Sequence, residues 1–279
     1  MYSLLRNPEA KKLILQALEE DIGTGDLTTN SIVKPGQKLT AKINSRAECI
    51  VSGVDILKQV FYLLDPAIKF EIFVNDGEIV SKKHNIAVVS GRADAILTGE
   101  RTALNFIQRM SAIATLTYKY QEAIKPYKAK VTDTRKTTPN FRIFEKYSVK
   151  VGGGSPHRFG LYDAVMIKDN HIQTAGSLTE AVKLVKKNIS HTTKIEVETD
   201  TLDQVKEAAS LGVDIIMLDN MPISTIKDAV RIIDGKALVE ASGNVTIDTI
   251  NAIASTGVNY ISTSAITARA GIVDIGLDV

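Results

Sequence analysis

After Pro126 the chain repeats one pattern, in which a short apolar run is followed by a polar stretch and then by an amphipathic segment. The six apolar runs span residues 129–132, 164–167, 194–197, 215–218, 237–239 and 260–262. The later amphipathic segments have helical spacing and begin at Ser or Thr, which are common helix caps. Because a complete barrel of parallel strands and crossover helices has eight strands, six runs predict an open, incomplete α/β barrel.

The first part of the chain mixes helical and strand patterns. Residues 7–20 and 54–64 have the apolar spacing of amphipathic helices. Residues 69–80 predict two strands, and Asn75-Asp76-Gly77 between them is a strong signal for a hairpin turn. This region is therefore expected to be a mixed α/β domain.

A long helix-forming stretch, residues 93–124, connects the two regions. We place the N-terminal domain at residues 1–110 and the barrel domain at residues 111–270. The connecting helix carries Arg101 and Arg109 among apolar neighbours. Each is expected to be a surface arginine whose stem lies along the helix.

Polar side chains follow directly after the predicted strands. They are Arg135 and Lys136, Lys168 and Asp169, Glu198, Asp219 and Asn220, Ser242 and Gly243, and Thr263 and Ser264. In α/β barrels the carboxyl ends of the strands form the rim that holds the active site. The sequence therefore predicts an active site at this rim.

The cationic residues of this set are suited to binding carboxylates. Arg135, His157 and Arg158, together with Lys136, offer several donors, and a guanidinium can grip a carboxylate with two parallel hydrogen bonds. So many donors suit a dicarboxylate better than a monoacid. The predicted ligand is thus an organic diacid.

The remaining rim residues suit a phosphorylated sugar. Glu198 and Asp219 only accept hydrogen bonds when ionised, which fits ribose hydroxyls or a hard cation. Ser242-Gly243-Asn244 and Thr263-Ser264-Ala265 end the last two strands just before helices, where backbone N–H groups bind phosphate. Ordinary helix capping is the alternative explanation for these two loops.

Composition excludes several classes of protein. The 279 residues carry a formal net charge of +2, which argues against a nucleic-acid-binding protein with a broad basic surface. The lone Cys49 excludes an internal disulfide and a cysteine-based zinc site, and it fits a reducing compartment. No apolar run approaches the length of a membrane-spanning helix. We expect a cytoplasmic protein that binds neither nucleic acid nor membrane.

Several segments of the chain resemble one enzyme family. They are EEDIGTGDLTT, ERTALNFIQRMSAIAT, TDTRKTTP, EKYSVKVGGG, HRFGLYDAVMIKDNH, IEVET, IIMLDNM and EASGNVT. The combination of TRKT, GGG, HR and KDNH resembles the quinolinate phosphoribosyltransferase family, also called nicotinate-nucleotide pyrophosphorylase (carboxylating), over nearly the whole chain. The sequence departs from the family at residues 263–265, where TSA stands in place of the common V-G-A.

The resemblance implies an α/β sandwich domain followed by an open α/β barrel, with residues 271–279 returning to the first domain. It implies that quinolinate and phosphoribosyl pyrophosphate give nicotinate mononucleotide, carbon dioxide and pyrophosphate, with Mg²⁺ near Glu198 and Asp219. Lys136 and Lys168 join these two carboxylates as the catalytic residues.

The resemblance also implies a homodimer or hexamer with shared active sites. In this arrangement Arg101 reaches into the site of the neighbouring subunit. The site residues that the resemblance carries over are Arg101, Thr134, Arg135, Lys136, His157, Arg158, Lys168, Glu198, Asp219, Ser242 and Gly243.

Three other functions are compatible with parts of the pattern. The first is a paralogue associated with molybdate transport, which TSA resembles and KDNH argues against. The second is a nicotinate phosphoribosyltransferase without decarboxylation, for which a single carboxylate grip is enough. The third is a catalytically silent anion-binding module, which is expected to have lost part of the set Lys136, Lys168, Glu198 and Asp219. All four residues are present.

Overall fold

The computed structural model describes residues 4–279, which divide into two compact units. The first unit comprises the chain up to Tyr118, Thr138–Gly153 and Thr267–Val279, and the second comprises Lys119–Thr137 and Gly154–Ile266. The segment Thr138–Gly153 thus belongs to the first unit although it lies within residues 111–270. The domain boundaries proposed from the sequence stay a prediction.

Helices and strands occupy most of the described chain. A 3₁₀ helix at Leu4–Arg6 is followed by the α-helices α1 (Pro8–Ile22), α2 (Leu27–Ile32), α3 (Val54–Leu64), α4 (Ala93–Ala123), α5 (Arg142–Val151), α6 (Asp169–Ala175), α7 (Leu178–Asn188), α8 (Leu202–Ser210), α9 (Ile223–Ile233), α10 (Ile250–Ala254) and α11 (Ala265–Ala268). The strands are β1 (Lys38–Ser45), β2 (Cys49–Ile50), β3 (Lys69–Ile72), β4 (Ile79–Val80), β5 (Asn85–Arg92), β6 (Lys130–Thr132), β7 (Val165–Ile167), β8 (Ile195–Thr199), β9 (Ile215–Asp219), β10 (Leu238–Ser242), β11 (Tyr260–Ser262) and β12 (Ile275–Asp278).

The first unit contains a four-stranded antiparallel sheet with the order β12-β1-β5-β3. The last strand of the chain pairs with the first, so that Ile43 lies opposite Leu277. Ala41 and Ile43 of β1 are buried, whereas their neighbour Lys42 is exposed. This alternation is expected of a strand with one face on the core.

The hairpin predicted at Asn75-Asp76-Gly77 is wrong. β3 pairs with β5, and β4 pairs with β2 in a separate two-stranded sheet. The Asp76 carboxylate instead accepts the backbone N–H groups of Gly53 and Val54, which caps the start of α3. Its other oxygen accepts a hydrogen bond from the hydroxyl of Tyr147 at 2.7 Å. The turn residues therefore serve long-range contacts rather than a local strand pair.

Arg109 differs from the expected surface arginine. Its Nη2 lies 2.9 Å from Oε1 of Glu145, whose side chain is fully buried. The same guanidinium donates to the carbonyl oxygens of Thr267 and Gly271, at 2.6 and 3.1 Å. Arg109 is thus a structural residue of the first unit, which neutralises a carboxylate that has no access to water.

The second unit is built on a six-stranded parallel sheet with the order β6-β11-β10-β9-β8-β7. Within residues 4–279 the edge strands β6 and β7 do not pair with each other, so the barrel is open. The six strands match the six apolar runs of the sequence. Ser177 and Thr201 cap α7 and α8 through their side chains, as the Ser and Thr start signals predict. The starts predicted at Ser224 and Thr246 are wrong, since α9 begins after Pro222 and α10 begins after Thr249, neither with a side-chain cap. The open, incomplete α/β barrel is confirmed.

The described part of the chain contains no helix with the length and apolarity to cross a membrane.

Candidate active site

The carboxyl ends of β7 and β8 bring an oppositely charged pair together. Lys168 follows β7 directly and caps α6, while Glu198 is the fourth residue of the neighbouring strand β8. The ammonium group of Lys168 forms an ion pair with Oε2 of Glu198. The Lys168 side chain is 42% exposed and that of Glu198 16%, so the pair is accessible from solvent. His171 holds this turn, because its Nδ1 accepts the backbone N–H of Lys168 at 2.9 Å.

The ends of β9 and β10 form a second part of the rim. Asp219 ends β9, and its Oδ2 accepts a hydrogen bond from the Asn220 amide at 2.8 Å. Gly243 follows Ser242 with φ +96°, and a Cβ there would lie 2.2 Å from the Asn220 side chain. The side-chain amide of Asn244 donates a hydrogen bond to Oδ1 of Asn220 at 3.0 Å. Glycine is therefore required at this turn both by its backbone angle and by the space available.

The predicted phosphate loop after β11 uses its threonine internally. Thr263 is buried, and its hydroxyl donates to the Val245 carbonyl at 3.2 Å while accepting the Ala265 N–H at the same distance. Ser264 is half-buried. The Thr263 hydroxyl is therefore committed to the fold.

Arg135 follows β6 and Arg158 precedes β7, the two strands at the open edge of the barrel. The segment that leads to β7 lies against β6 at Ser155, whose N–H donates to the Val131 carbonyl. Further along this segment, Arg158 Nη1 donates to the carbonyl of Ala164 at 2.8 Å. Partial burial, and then the charge of Arg135, lower the pKa of Arg158 from its ordinary value. Two guanidinium groups that repel each other favour an anion between them.

His157 faces the barrel interior rather than the rim. Its Nε2 lies 3.1 Å from Oε2 of Glu196 and 3.6 Å from Oε1 of Glu240. Both carboxylates are on strands and 3% exposed. Burial and the neighbouring Glu196 raise the pKa of Glu240 to about 7, while the nearby His157 and Ser262 lower it and Asp133 raises it further.

Sequence reasoning missed Glu196 and Glu240. The available signal was their position, since each lies inside an apolar strand run where charged side chains are rare unless they have a partner.

The other predicted residues lie on loops and on α4. The Thr134 hydroxyl accepts the backbone N–H of Lys136 at 3.0 Å, which shapes the turn after β6. Lys136 and Arg135 are exposed. Arg101 is exposed on α4 in the first unit.

Glu198 and Asp219 fit the requirements of Mg²⁺ only in part. They lie near the carboxyl ends of neighbouring strands and supply carboxylate oxygens. Within residues 4–279, however, the one cluster of three potential metal ligands is His157, Glu196 and Glu240. Mg²⁺ is commonly held by one or two carboxylates together with substrate phosphates. The pair thus fits a cation that arrives with a phosphorylated substrate, and not a preformed cage.

The open barrel, its charged strand ends and the paired arginines define an α/β-barrel enzyme that acts on anionic substrates. Two family models match the chain: Quinolinate phosphoribosyl transferase, N-terminal domain, over residues 26–111, and the C-terminal domain of the same family over residues 113–278. The chain belongs to the quinolinate phosphoribosyltransferase family.

Individual relatives agree with this assignment. The probable nicotinate-nucleotide pyrophosphorylase (carboxylating) of Bacillus subtilis is 44% identical, over 97% of this chain and 93% of that protein. A mitochondrial quinolinate phosphoribosyltransferase (decarboxylating) of Nicotiana glauca is 39% identical, over 97% and 82%. The crystal structure of NadC from Streptococcus pyogenes superposes with a TM-score of 0.94 at 37% identity, covering 97% of this chain and 96% of that one.

Proposed function

We propose that this protein transfers the phosphoribosyl group of phosphoribosyl pyrophosphate to the ring nitrogen of quinolinate. The products are nicotinate mononucleotide, pyrophosphate and carbon dioxide, in a cytoplasmic step of NAD biosynthesis. Membership of the family and the names of its relatives, which include carboxylating and decarboxylating enzymes of this reaction, support the proposal.

One observation carries the choice of a diacid. Partial burial, and then the charge of Arg135, lower the pKa of Arg158, whereas Glu196 and Asp163 raise it. Two adjacent cations are relieved most fully by two carboxylates, which quinolinate supplies and nicotinate does not.

The chemistry of the transfer suits the residues of the rim. The pyridine nitrogen attacks the anomeric carbon as the bond to pyrophosphate breaks, so positive charge develops on the sugar and no general base is required. Glu198 and Asp219 would stabilise this charge, while Lys136 and Lys168 would offset the charge of the departing pyrophosphate. The positive charge on the quaternised nitrogen then stabilises the electron pair left on the adjacent carbon when carbon dioxide leaves, and this pair finally takes up a proton.

The turns after the last strands would hold the phosphate of the sugar. Ser242, Gly243 and Asn244 form one such turn, in which the missing Cβ of glycine leaves the backbone open. Thr263, Ser264 and Ala265 form the other. Glu198 and Asp219 would also hold Mg²⁺, which when bound neutralises pyrophosphate charge.

A direct assay tests the reaction. Purified protein is mixed with phosphoribosyl pyrophosphate, Mg²⁺ and either quinolinate or nicotinate, and mononucleotide and carbon dioxide are measured. We expect one carbon dioxide for each mononucleotide from quinolinate and no product from nicotinate. Equal turnover of both acids would contradict the assignment.

We also propose that the enzyme is a homodimer or a larger assembly in which Arg101 serves the site of the neighbouring subunit. Its exposure on α4 and the family resemblance support this role. Mixing inactive Arg101→Ala and Lys168→Ala proteins under subunit exchange places both lesions in one site of each mixed dimer and leaves the other intact. A symmetric dimer should then recover about a quarter of wild-type activity. No recovery despite demonstrated exchange would contradict the shared site.

A further inference from the structure

The carboxylate of Glu145 holds the end of the loop that carries Arg135 and Lys136, here called the β6 loop (residues 134–137). The backbone N–H of Thr138 donates to Oε2 of Glu145 at 3.2 Å, and the Thr138 hydroxyl donates to Oε1 at 2.9 Å. The Glu145 side chain is fully buried, so protein donors take the place of water around it. Since Thr138 follows the β6 loop directly, these bonds fix the point at which the loop ends.

Hydrogen bonds within the β6 loop connect this end to the two cationic residues. The backbone N–H of Thr137 donates to the carbonyl of Arg135 at 3.0 Å. The backbone N–H of Lys136 donates to the hydroxyl of Thr134, also at 3.0 Å. A loop bonded in this way moves as a unit, so a shift at its end changes the direction of both cationic side chains.

A tight turn joins Thr138 to helix α5. The backbone N–H of Phe141 donates to the Thr138 carbonyl at 3.1 Å. Between them, Pro139 restricts its own φ, and Asn140 has a φ of +60°, the sign that the third residue of a type II turn needs. Glu145 lies one helical turn further along α5. Thr138 is therefore bound to α5 through its main chain and its side chain.

Arg109 connects the same carboxylate to the chain after the β11 loop (residues 263–265). Its Nη2 lies 2.9 Å from Oε1 of Glu145. The guanidinium also donates to the carbonyls of Thr267 and Gly271, at 2.6 and 3.1 Å. Thr267 lies in α11, the single helical turn that begins at the last residue of the β11 loop. One ion pair thus holds the chain that follows each of these two loops.

The residues held by this ion pair are the points at which the chain enters the first unit. The chain leaves the second unit after Thr137 and after Ile266, and it enters the first unit at Thr138 and Thr267. A buried ion pair contributes little net stability compared with apolar side chains of similar volume. Its directional hydrogen bonds are therefore the better explanation for its presence at these two points.

We propose that Arg109 and Glu145 are positioning residues for the phosphoribosyl transfer. Glu145 orients the two cationic side chains of the β6 loop through Thr138, and Arg109 orients the β11 loop through α11. Both residues act through the loops and not on the substrate. The inference rests on the proposed function for the substrates that it names, whereas the contacts stand without that function.

Two substitutions at Thr138 separate the hydrogen bond from the packing. Thr138→Val keeps the shape and removes the hydroxyl, whereas Thr138→Ser keeps the hydroxyl and removes the methyl group. We expect Val to lower kcat/KM for quinolinate about tenfold, with a higher KM because Arg135 is displaced, and Ser to stay within about threefold of wild type. Val equal to wild type, or Val and Ser equally impaired, would overturn the role of Glu145.

Thr179→Val is the matched control. The backbone N–H and the hydroxyl of Thr179 both donate to Oε1 of Glu207, at 3.1 and 2.7 Å, so the control loses the same kind of bond between α7 and α8. Its kinetic constants should match those of the wild type. An equal loss of kcat/KM in Thr179→Val would show that the effect is not specific to the β6 loop, which would overturn the proposal.

Replacing the whole ion pair separates positioning from stability. Because apolar replacement of a buried pair is often neutral, Arg109→Met combined with Glu145→Leu should keep a urea midpoint near that of the wild type. We expect the KM values for quinolinate and for phosphoribosyl pyrophosphate each to rise about tenfold. Unchanged KM values, with only the apparent kcat lowered, would mean a loss of folded protein and would refute positioning.

Arg109→Lys decides the role of Arg109 if the double variant does not fold. Lysine keeps the charge beside Glu145 but lacks the second nitrogen of the guanidinium fork. We expect the KM for phosphoribosyl pyrophosphate to rise about threefold in this variant, while Thr138→Val changes it less than about twofold. An unchanged KM in Arg109→Lys would overturn the role assigned to the β11 loop.

Amide hydrogen exchange measures the anchoring without any substrate. Peptides that span residues 133–141 should exchange faster in Thr138→Val than in the wild type and in Thr179→Val. Peptides that span residues 263–271 should exchange faster in Arg109→Lys. Unchanged exchange in these peptides would overturn the anchoring itself. A wild-type protein that is inactive on quinolinate would overturn the proposed function, while hydrogen exchange would still decide whether the ion pair holds the two loops.

Discussion

Replacing Glu240 by Gln should flatten the pH dependence of stability. Burial and the neighbouring Glu196 raise the pKa of Glu240 from 4.5 to about 7. Between these values the folded state binds more protons than the unfolded state, so this group stabilises the fold at low pH and its contribution is lost as pH rises through 7. Glutamine has the same shape and does not titrate.

The size of the effect follows from the shift. Each pKa unit corresponds to about 1.4 kcal/mol, so the free energy of unfolding of the wild type should fall by roughly 2 to 3 kcal/mol relative to Glu240→Gln between pH 5 and pH 8. Because Glu196, His157 and Asp133 face the same carboxyl, their own titration shares in this change. The wild type still loses stability relative to the variant as the pH rises, as long as Glu240 is the group that binds the extra proton.

Urea denaturation followed by circular dichroism at pH 5, 6, 7 and 8 measures the difference between variant and wild type. Taking that difference cancels the groups that titrate alike in both proteins. The control is Glu180→Gln, at a half-buried glutamate on the surface of α7, and its difference from wild type should vary much less with pH. Parallel curves for Glu240→Gln and wild type, or a wild type that gains stability relative to the variant as pH rises, would refute the reasoning.

Three further substitutions test separate parts of the molecule. Lys168→Ala should fold normally and lose roughly two to three orders of magnitude in turnover, because a contact made mainly in the transition state is removed. Near wild-type turnover in the assay would show that Lys168 is structural. Arg109→Ala should lower the free energy of unfolding by about 3 kcal/mol in urea, because the buried Glu145 loses its ion-pair partner; a loss below about 1 kcal/mol would contradict this. Gly243→Ala should fold but reduce turnover, because residue 243 has a φ of +96° and the nearby Asn220 leaves no room for a Cβ. Unchanged kinetics would show that the turn does not hold substrate.

The barrel was predictable because its signals are local. Each of the six strands is a short apolar run bounded by polar residues, and helices α7 and α8 begin at the Ser and Thr caps that the sequence displays. In a parallel sheet all carboxyl ends meet at one edge, so the positions of Lys168, Glu198 and Asp219 follow from the strand ends. No long-range information was needed for these parts.

The errors concern residues whose partners are distant in the chain. Asn75-Asp76-Gly77 has the composition of a hairpin turn, but Asp76 caps α3 and accepts the hydroxyl of Tyr147, 71 residues away. Arg109 and Glu145 are likewise separated by 36 residues, so neither position alone indicates an ion pair. Burial of charge depends on such partners, and local pattern does not contain them.

The charges of the second unit are balanced before any substrate is present. Lys168 pairs with Glu198, and Arg158 interacts with Glu196 and Asp163 as well as with Arg135. An anionic substrate must therefore replace protein carboxylates as the partner of these cations, and its affinity is the difference between two sets of contacts. A ligand with one carboxylate gains little binding free energy from this exchange, whereas a ligand that engages both arginines at once gains more. We therefore expect these carboxylates to weaken the binding of a ligand that engages only one of the arginines.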